Sequence, residues 1–174
     1  MKVIGIIASP RGKASNTLQL LNGVLQGARE EGAATELVDI YSLDIGYCTA
    51  CGNCYVSGDC PLFDDFPDLF DTLMDADGIV LGAPNYIDSI PAPLKAMFDR
   101  MADVIHCQMF YGKYGCSVCT AGGSNHGPVM EYMNHALSSL GAITVGGVGV
   151  AMKDGEEALS TGIRDSVELG RKLV

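Results

Sequence analysis

Lys2-Val3-Ile4-Gly5-Ile6-Ile7-Ala8 runs directly into Ser9-Pro10-Arg11-Gly12-Lys13-Ala14-Ser15-Asn16-Thr17. The first segment is short, β-branched and almost continuously apolar, which is how a strand buried on both faces reads. From Ser15 the period changes to a helical one, with Leu18, Leu21, Leu25 and Ala28 on one face and Gly32 as the stop. A buried strand, a polar loop and an amphipathic helix make one βα unit, and the unit recurs down the chain. Thr35 to Ile40 reads as a second strand. Gly78 to Ala83 reads as a third, ending in Pro84-Asn85-Tyr86, and Gly115 to Thr120 as a fourth, ending in Ala121-Gly122-Gly123. Ala142 to Val150 gives the fifth. Helical stripes lie between them at Phe66 to Met74, at Leu94, Met97, Phe98 and Met101, and at Met130, Met133, Leu137 and Leu140. Leu159, Ile163 and Val167 mark a terminal helix.

Regular βα alternation implies a parallel sheet covered by helices on both faces and wound by right-handed crossovers. Five strands at this length predict an α/β, flavodoxin-like three-layer fold with strand order 2-1-3-4-5. The expectation is a single domain over 1–174 with a cysteine-rich loop at about 44–65. The 174 residues are 48% hydrophobic, enough for one substantial core, and Gly reaches 22 while Trp is absent. Eleven Lys+Arg against 21 Asp+Glu give a net charge of −10, which argues against nucleic-acid and acidic-membrane partners. No apolar run approaches the roughly 18 residues of a membrane span. Met1 to Ala8 is too short for a signal core, so a cytoplasmic location is expected. Seven cysteines in a reducing compartment then read as metal ligands, reactive thiols or core filler.

In a doubly wound sheet the ligand sits outside the carboxyl ends of the strands, at the switch point of the strand order. The loop after the first strand offers hydroxyls, an Asn amide, an Arg and a helix N-terminus, a donor set suited to a phosphate monoester. It carries neither G-x-G-x-x-G nor G-K-[ST], which disfavours a dinucleotide fingerprint and a P-loop. Capping of the first helix by Ser15 explains part of the same pattern. Pro84-Asn85-Tyr86-Ile87 places an aromatic and an amide where a planar heterocycle would stack, and Gly122-Gly123 lets backbone come close to it.

Cys48, Cys51, Cys54 and Cys60 form C-x2-C-x2-C-x5-C, with Gly52 and Gly58 between them. Four thiolates so spaced suit a [4Fe-4S] cluster, one sulfur to each iron, with Cys60 closing the set because no second set exists. Zinc bound by four thiolates and a metal-free loop are the alternatives. Cys116 and Cys119 are three apart on a strand and face opposite ways, so they read as core thiols. Cys107, beside His106, closes a helix, and His126 and His135 lack evident partners. Asp64, Asp65, Asp68 and Asp71 fit favourable charge at a helix start. No Ser-His-Asp arrangement is present, and no side chain is assigned as catalytic. Arg11, Lys13, Lys95 and Arg100 read either as phosphate partners or as solvated surface.

Ser9-Pro10-Arg11…Ser15-Asn16-Thr17, Gly82-Ala83-Pro84-Asn85-Tyr86 and Pro93-Leu94-Lys95-Ala96-Met97-Phe98-Asp99-Arg100 resemble the flavodoxin-like NAD(P)H-dependent FMN reductases over most of the chain. The resemblance implies FMN, its phosphate held by Ser9, Arg11, Ser15, Asn16 and Thr17. It implies that Pro84, Asn85, Tyr86 and Ile87, with Ala121, Gly122 and Gly123, hold the isoalloxazine ring. Joined to such a fold, the four cysteines look like those of the iron-sulfur flavoprotein branch, and all four positions match. The function so implied is electron transfer through FMN and a [4Fe-4S] cluster, with ferredoxin, NAD(P)H, a quinone or an oxygen species as donor or acceptor. An NAD(P)H-dependent FMN or quinone reductase without a cluster, and a flavodoxin-like electron shuttle, are the rival readings. A long loop around an oxygen-sensitive cluster needs cover, so a homodimer or homotetramer is expected.

Overall fold

A computed structural model describes residues 1–174. Its elements run β1 (Lys2–Ile7), α1 (Asn16–Glu30), β2 (Ala34–Asp39), α2 (Cys54–Ser57), α3 (Phe66–Met74) and β3 (Gly78–Pro84). They continue with α4 (Ala92–Asp99), α5 (Ala102–Cys107), β4 (Tyr114–Ala121), α6 (His126–Ser139), β5 (Ile143–Ala151) and α7 (Gly155–Leu173). The five strands form one sheet in the order β2-β1-β3-β4-β5, every neighbour parallel. Helices cover both faces, as the alternation of elements requires.

The central strands show why both faces are apolar. Ile4, Ile6, Ile79, Leu81 and Cys119 belong to one core, with Leu69, Leu73, Leu94, Met97, Met133 and Leu137 from the helices above. Their neighbours Val3, Ile7, Val80, Cys116 and Val118 belong to the other, with Leu20, Leu21, Val24 and Leu25 of α1 and Leu169 and Leu173 of α7. Period-two alternation thus divides each of the central strands β1, β3 and β4 between two cores. Cys116 and Cys119 fall on opposite faces, and burial pushes both thiols up to about 12.

α1 and α7 approach very closely. A Cβ on Gly27 would lie 1.9 Å from the Val167 carbonyl oxygen, and one on Gly170 would lie 2.0 Å from that of Val24. Arg171 bridges the pair by an ion pair to Glu30 at 2.6 Å and also pairs with Glu168.

One expected helix is divided. The apolar stripe through Leu94, Met97, Phe98 and Met101 is split, because α4 stops at Asp99 and α5 starts at Ala102. The amides of Arg100 and Met101 instead bond the carbonyls of Met97 and Phe98, at 3.2 and 3.0 Å, in a tightened turn. That turn carries the Arg100 side chain inward, where it is buried. A four-residue helix also forms inside the cysteine loop, at Cys54–Ser57, where no period was legible.

Candidate functional site

The carboxyl ends of β1, β3 and β4 open on a cavity of about 290 Å³. Ser9, Arg11, Ser15, Asn16 and Thr17 line it from the first loop, Pro84, Asn85 and Tyr86 from the third strand, and Gly122 from the fourth. Three expected residues are absent from its wall: Ile87 is fully exposed, Ala121 is buried in the sheet, and Gly123 is exposed beside it. Ser9, Ser15 and Thr17 are buried. Ser15 caps α1 by accepting the Leu18 N–H at 3.2 Å, so the capping role and the cavity share one residue. Asn16 donates only to Met152 Sδ, at 3.6 Å, a weak acceptor that a phosphate oxygen readily replaces. With the Leu18 N–H taken by Ser15, the first-turn amides of Asn16 and Thr17 are left to offer an anion. This donor set fits a phosphate monoester.

The loop after β3 is strained. Ile87 and Asp88 form the centre of a two-residue turn between Tyr86 and Ser89, at φ 52° and 56°. Positive φ at a β-branched residue is unfavourable and persists only where surroundings over-determine it. The bracing is visible: Asn85 accepts the Asp88 N–H at 2.8 Å and donates to the Asn125 carbonyl at 2.8 Å, while Asn125 donates to Asp88 at 2.8 Å. Nearby, burial raises the Tyr41 phenol, and Tyr86 and Asp39 add to the shift.

The cysteine loop leaves the body through a narrow neck. The Asp65 N–H donates to the Asp44 carbonyl at 2.9 Å and the Asp44 N–H to the Asp65 carboxylate at 2.8 Å. Asp64 accepts the amides of Gly46 and Phe66 at 2.8 and 3.1 Å, and the Arg100 guanidinium at 2.6 and 3.3 Å. Burial alone would raise the Asp64 carboxyl, but Arg100 and the two amides outweigh it and hold it below the ordinary carboxylate range. Helix-start charge therefore explains only part of Asp64, whose main partner is a buried cation. Arg100 is buried and does not line the cavity at the first loop, while Lys95 pairs with Asp99 on the surface.

Within the loop Ala50 takes φ 53°, and its N–H donates to Cys48 Sγ at 3.4 Å. Cys48, Cys51, Cys54 and Cys60 all line one cavity of about 200 Å³, whose wall also includes Ala50, Tyr55, Pro61 and Leu62. No three His, Cys, Asp or Glu side chains converge on one point. All four cysteines thus line one space, and a wall with four soft donors fits a body having one iron per sulfur.

The model of the NADPH-dependent FMN reductase family matches residues 1–157. The chain belongs to that family. It is 34% identical over 175 residues to an iron-sulfur flavoprotein of Archaeoglobus fulgidus, covering 99% of this chain and 79% of that protein. To an iron-sulfur flavoprotein of Methanocaldococcus jannaschii it is 30% identical over 185 residues, covering 99% and 95%. These relatives put it on the iron-sulfur flavoprotein branch. A solved flavone reductase superposes with a TM-score of 0.79 at 18% identity, over 99% of this chain and 62% of that one, and shares the fold. As an FMN reductase family member, the protein is an FMN-dependent oxidoreductase with a flavoprotein's redox role. No helix is long and apolar enough to cross a membrane.

Two cavity residues of this flavoprotein escaped the sequence reading, and a third residue was misassigned. Thr120 lines the cavity at the carboxyl edge of the sheet and shares a 2.6 Å hydrogen bond with Thr17; its place at the end of β4 was the available signal. Met152 lines the same cavity from the turn after β5, and nothing in a methionine's surroundings announces that. Arg100 was hidden by its charge.

Proposed function

We propose that the protein moves electrons between a redox donor and acceptor through FMN and a [4Fe-4S] cluster held by Cys48, Cys51, Cys54 and Cys60. The observation that carries the reading is the convergence of all four cysteines on one cavity. When bound, FMN exchanges one or two electrons and the cluster one, so together they interconvert two-electron and one-electron chemistry.

The chain's own residues bind and orient. Ser9, Arg11, Ser15, Asn16 and Thr17, with the first turn of α1, take the FMN phosphate by charge-assisted hydrogen bonds. Pro84, Asn85, Tyr86 and Gly122 form the ring-side wall; Ile87, Ala121 and Gly123 flank it without lining it, and the braced turn at Ile87 and Asp88 fixes the loop. The Thr17–Thr120 bond ties the two sides together. Tyr47, Tyr55, Val56 and Phe63 are exposed around the cysteines, which supports burial of this loop in a homodimer or homotetramer.

The deciding experiment is an absorption spectrum of anaerobically purified protein, with flavin, iron, acid-labile sulfide and zinc counted on the same sample. Near four iron and four sulfide per chain beside flavin is the expected result. Flavin without iron and sulfide refutes the cluster, and zinc in their place makes the loop structural. Turnover with NADPH, NADH or reduced ferredoxin as donor, and a quinone or an oxygen species as acceptor, assigns the partners. Sedimentation of the loaded protein as a monomer refutes the oligomer.

A further inference from the structure

The cysteine loop is flanked by two cavities, the one that touches all four cysteines and another of about 220 Å³ on the Cys54 and Cys60 side. Arg100 lines both and is the one cation in either wall, where the anions are Asp59, Asp71, Asp99 and Asp103. A thiolate-bound cluster is itself an anion, and reduction adds a negative charge. In a chain of net charge −10, the only positive group at the loop bears directly on that change.

Four of the five N–H groups of the guanidinium are committed. Its Nε–H donates to Cys60 Sγ at 3.2 Å, and Nη1 donates to the Gly46 carbonyl at 3.1 Å and to Asp64 at 2.6 Å. Nη2 completes the fork on Asp64, and Cζ lies over the Phe66 ring, 4.5 Å from its centre. Its side chain is wholly buried. One planar group thus joins the chain before Cys48 to the chain after Cys60 while aiming a donor at one sulfur. Cys48 receives only the longer Ala50 N–H.

We propose that Arg100 is the positioning residue of the cysteine loop, and that its hydrogen bond makes Cys60 electronically distinct and raises the reduction potential of the cluster. The proposal rests on the cluster reading above. Hydrogen bonds to cluster sulfurs and nearby positive charge favour the reduced, more negative state. Asp64 holds the fork so that the Nε–H cannot turn away from the sulfur. Lysine keeps the charge but has no planar fork, so it cannot serve Asp64 and Cys60 together.

The test compares wild type with Arg100→Lys and with the double variant Arg100→Met/Asp64→Asn, which leaves no uncompensated buried carboxylate. Iron, sulfide and flavin are counted on each anaerobic sample, and the cluster potential is read by optically monitored redox titration. Arg100→Lys is expected to retain iron and to show an about tenfold lower reduced-to-oxidised ratio at a fixed solution potential, a shift of about 59 mV for one electron. The double variant is expected to shift at least as far, with the flavin couple in the same sample moving less. A residue that only held the loop would change iron occupancy and leave the potential of the remaining cluster alone. Wild-type potentials in both variants overturn the proposal. Wild-type protein that binds flavin but no iron after anaerobic reconstitution also overturns it, and the iron count then locates the failure in the cluster reading.

Discussion

Adding one methyl group at Gly27 tests how the phosphate-side helix is supported. In an open helix, Gly→Ala stabilises by up to about 1 kcal/mol. Here the new Cβ meets the Val167 carbonyl oxygen at 1.9 Å and the Arg171 nitrogen at 3.0 Å, and both are backbone atoms of α7 that no rotamer change can move aside. The helices must separate by roughly 1 Å, a gap that forfeits a quarter to a half of the dispersion between facing side chains. Leu20, Leu21, Val24 and Leu25 on one side and Leu169 and Leu173 on the other bear that loss. Overpacking of this kind costs about 1–3 kcal/mol, more than propensity returns. We expect Gly27→Ala to lower Tm by roughly 3–10 °C, and to weaken FMN retention because α1 carries Ser15, Asn16 and Thr17. Gly127→Ala in α6 is the control, since its Cβ meets nothing within 4 Å; it should leave Tm unchanged or raise it. Calorimetry and flavin release on dilution measure both. A Gly27→Ala protein as stable as wild type refutes the reasoning.

Other outcomes are specific. Arg11 is exposed and lines the phosphate cavity, so Arg11→Ala should leave the apoprotein's Tm alone while weakening FMN binding about 10- to 100-fold, as fluorescence titration would show. Ile87→Asn relieves a strained positive φ without losing buried surface, and should raise Tm by about 2–4 °C; no gain would mean the turn is unstrained. Cys116 and Cys119 should resist alkylation in the native protein and react on denaturation. Their folded pKa of about 12 lies above the ordinary value near 9, so folding holds the proton that the unfolded chain releases. Their stabilisation is complete below pH 9 and is lost as pH rises toward 12, by about 1 kcal/mol per unit per thiol, which alkaline denaturation monitors.

The βα alternation was legible because strands buried on both faces admit almost no polar residue, so Val3 to Ile7 and Ile79 to Ala83 stand out as unbroken apolar runs. Cys116 and Cys119 were readable from strand geometry alone. The cysteine loop was legible as chemistry and illegible as structure: Ala50 at positive φ and the turn of helix at Cys54 depend on local hydrogen bonding that leaves no period. Arg100 was misread because charge normally marks a surface, and only Asp64, distant in sequence, makes its burial tolerable. Met152 escaped because proximity across a sheet edge is a property of the fold.

The seam between α1 and α7 also sets a schedule for synthesis. Arg171 grips Glu30 across 141 residues, so a translating ribosome needs roughly 7–30 s to deliver the clasp after the first helix has emerged. During that interval α1 gains the sheet to pack on, but its face at Gly23 and Gly27, which α7 covers in the finished fold, stays open. A stall shortly before α7 therefore leaves a complete five-stranded sheet with one face of its first helix uncovered.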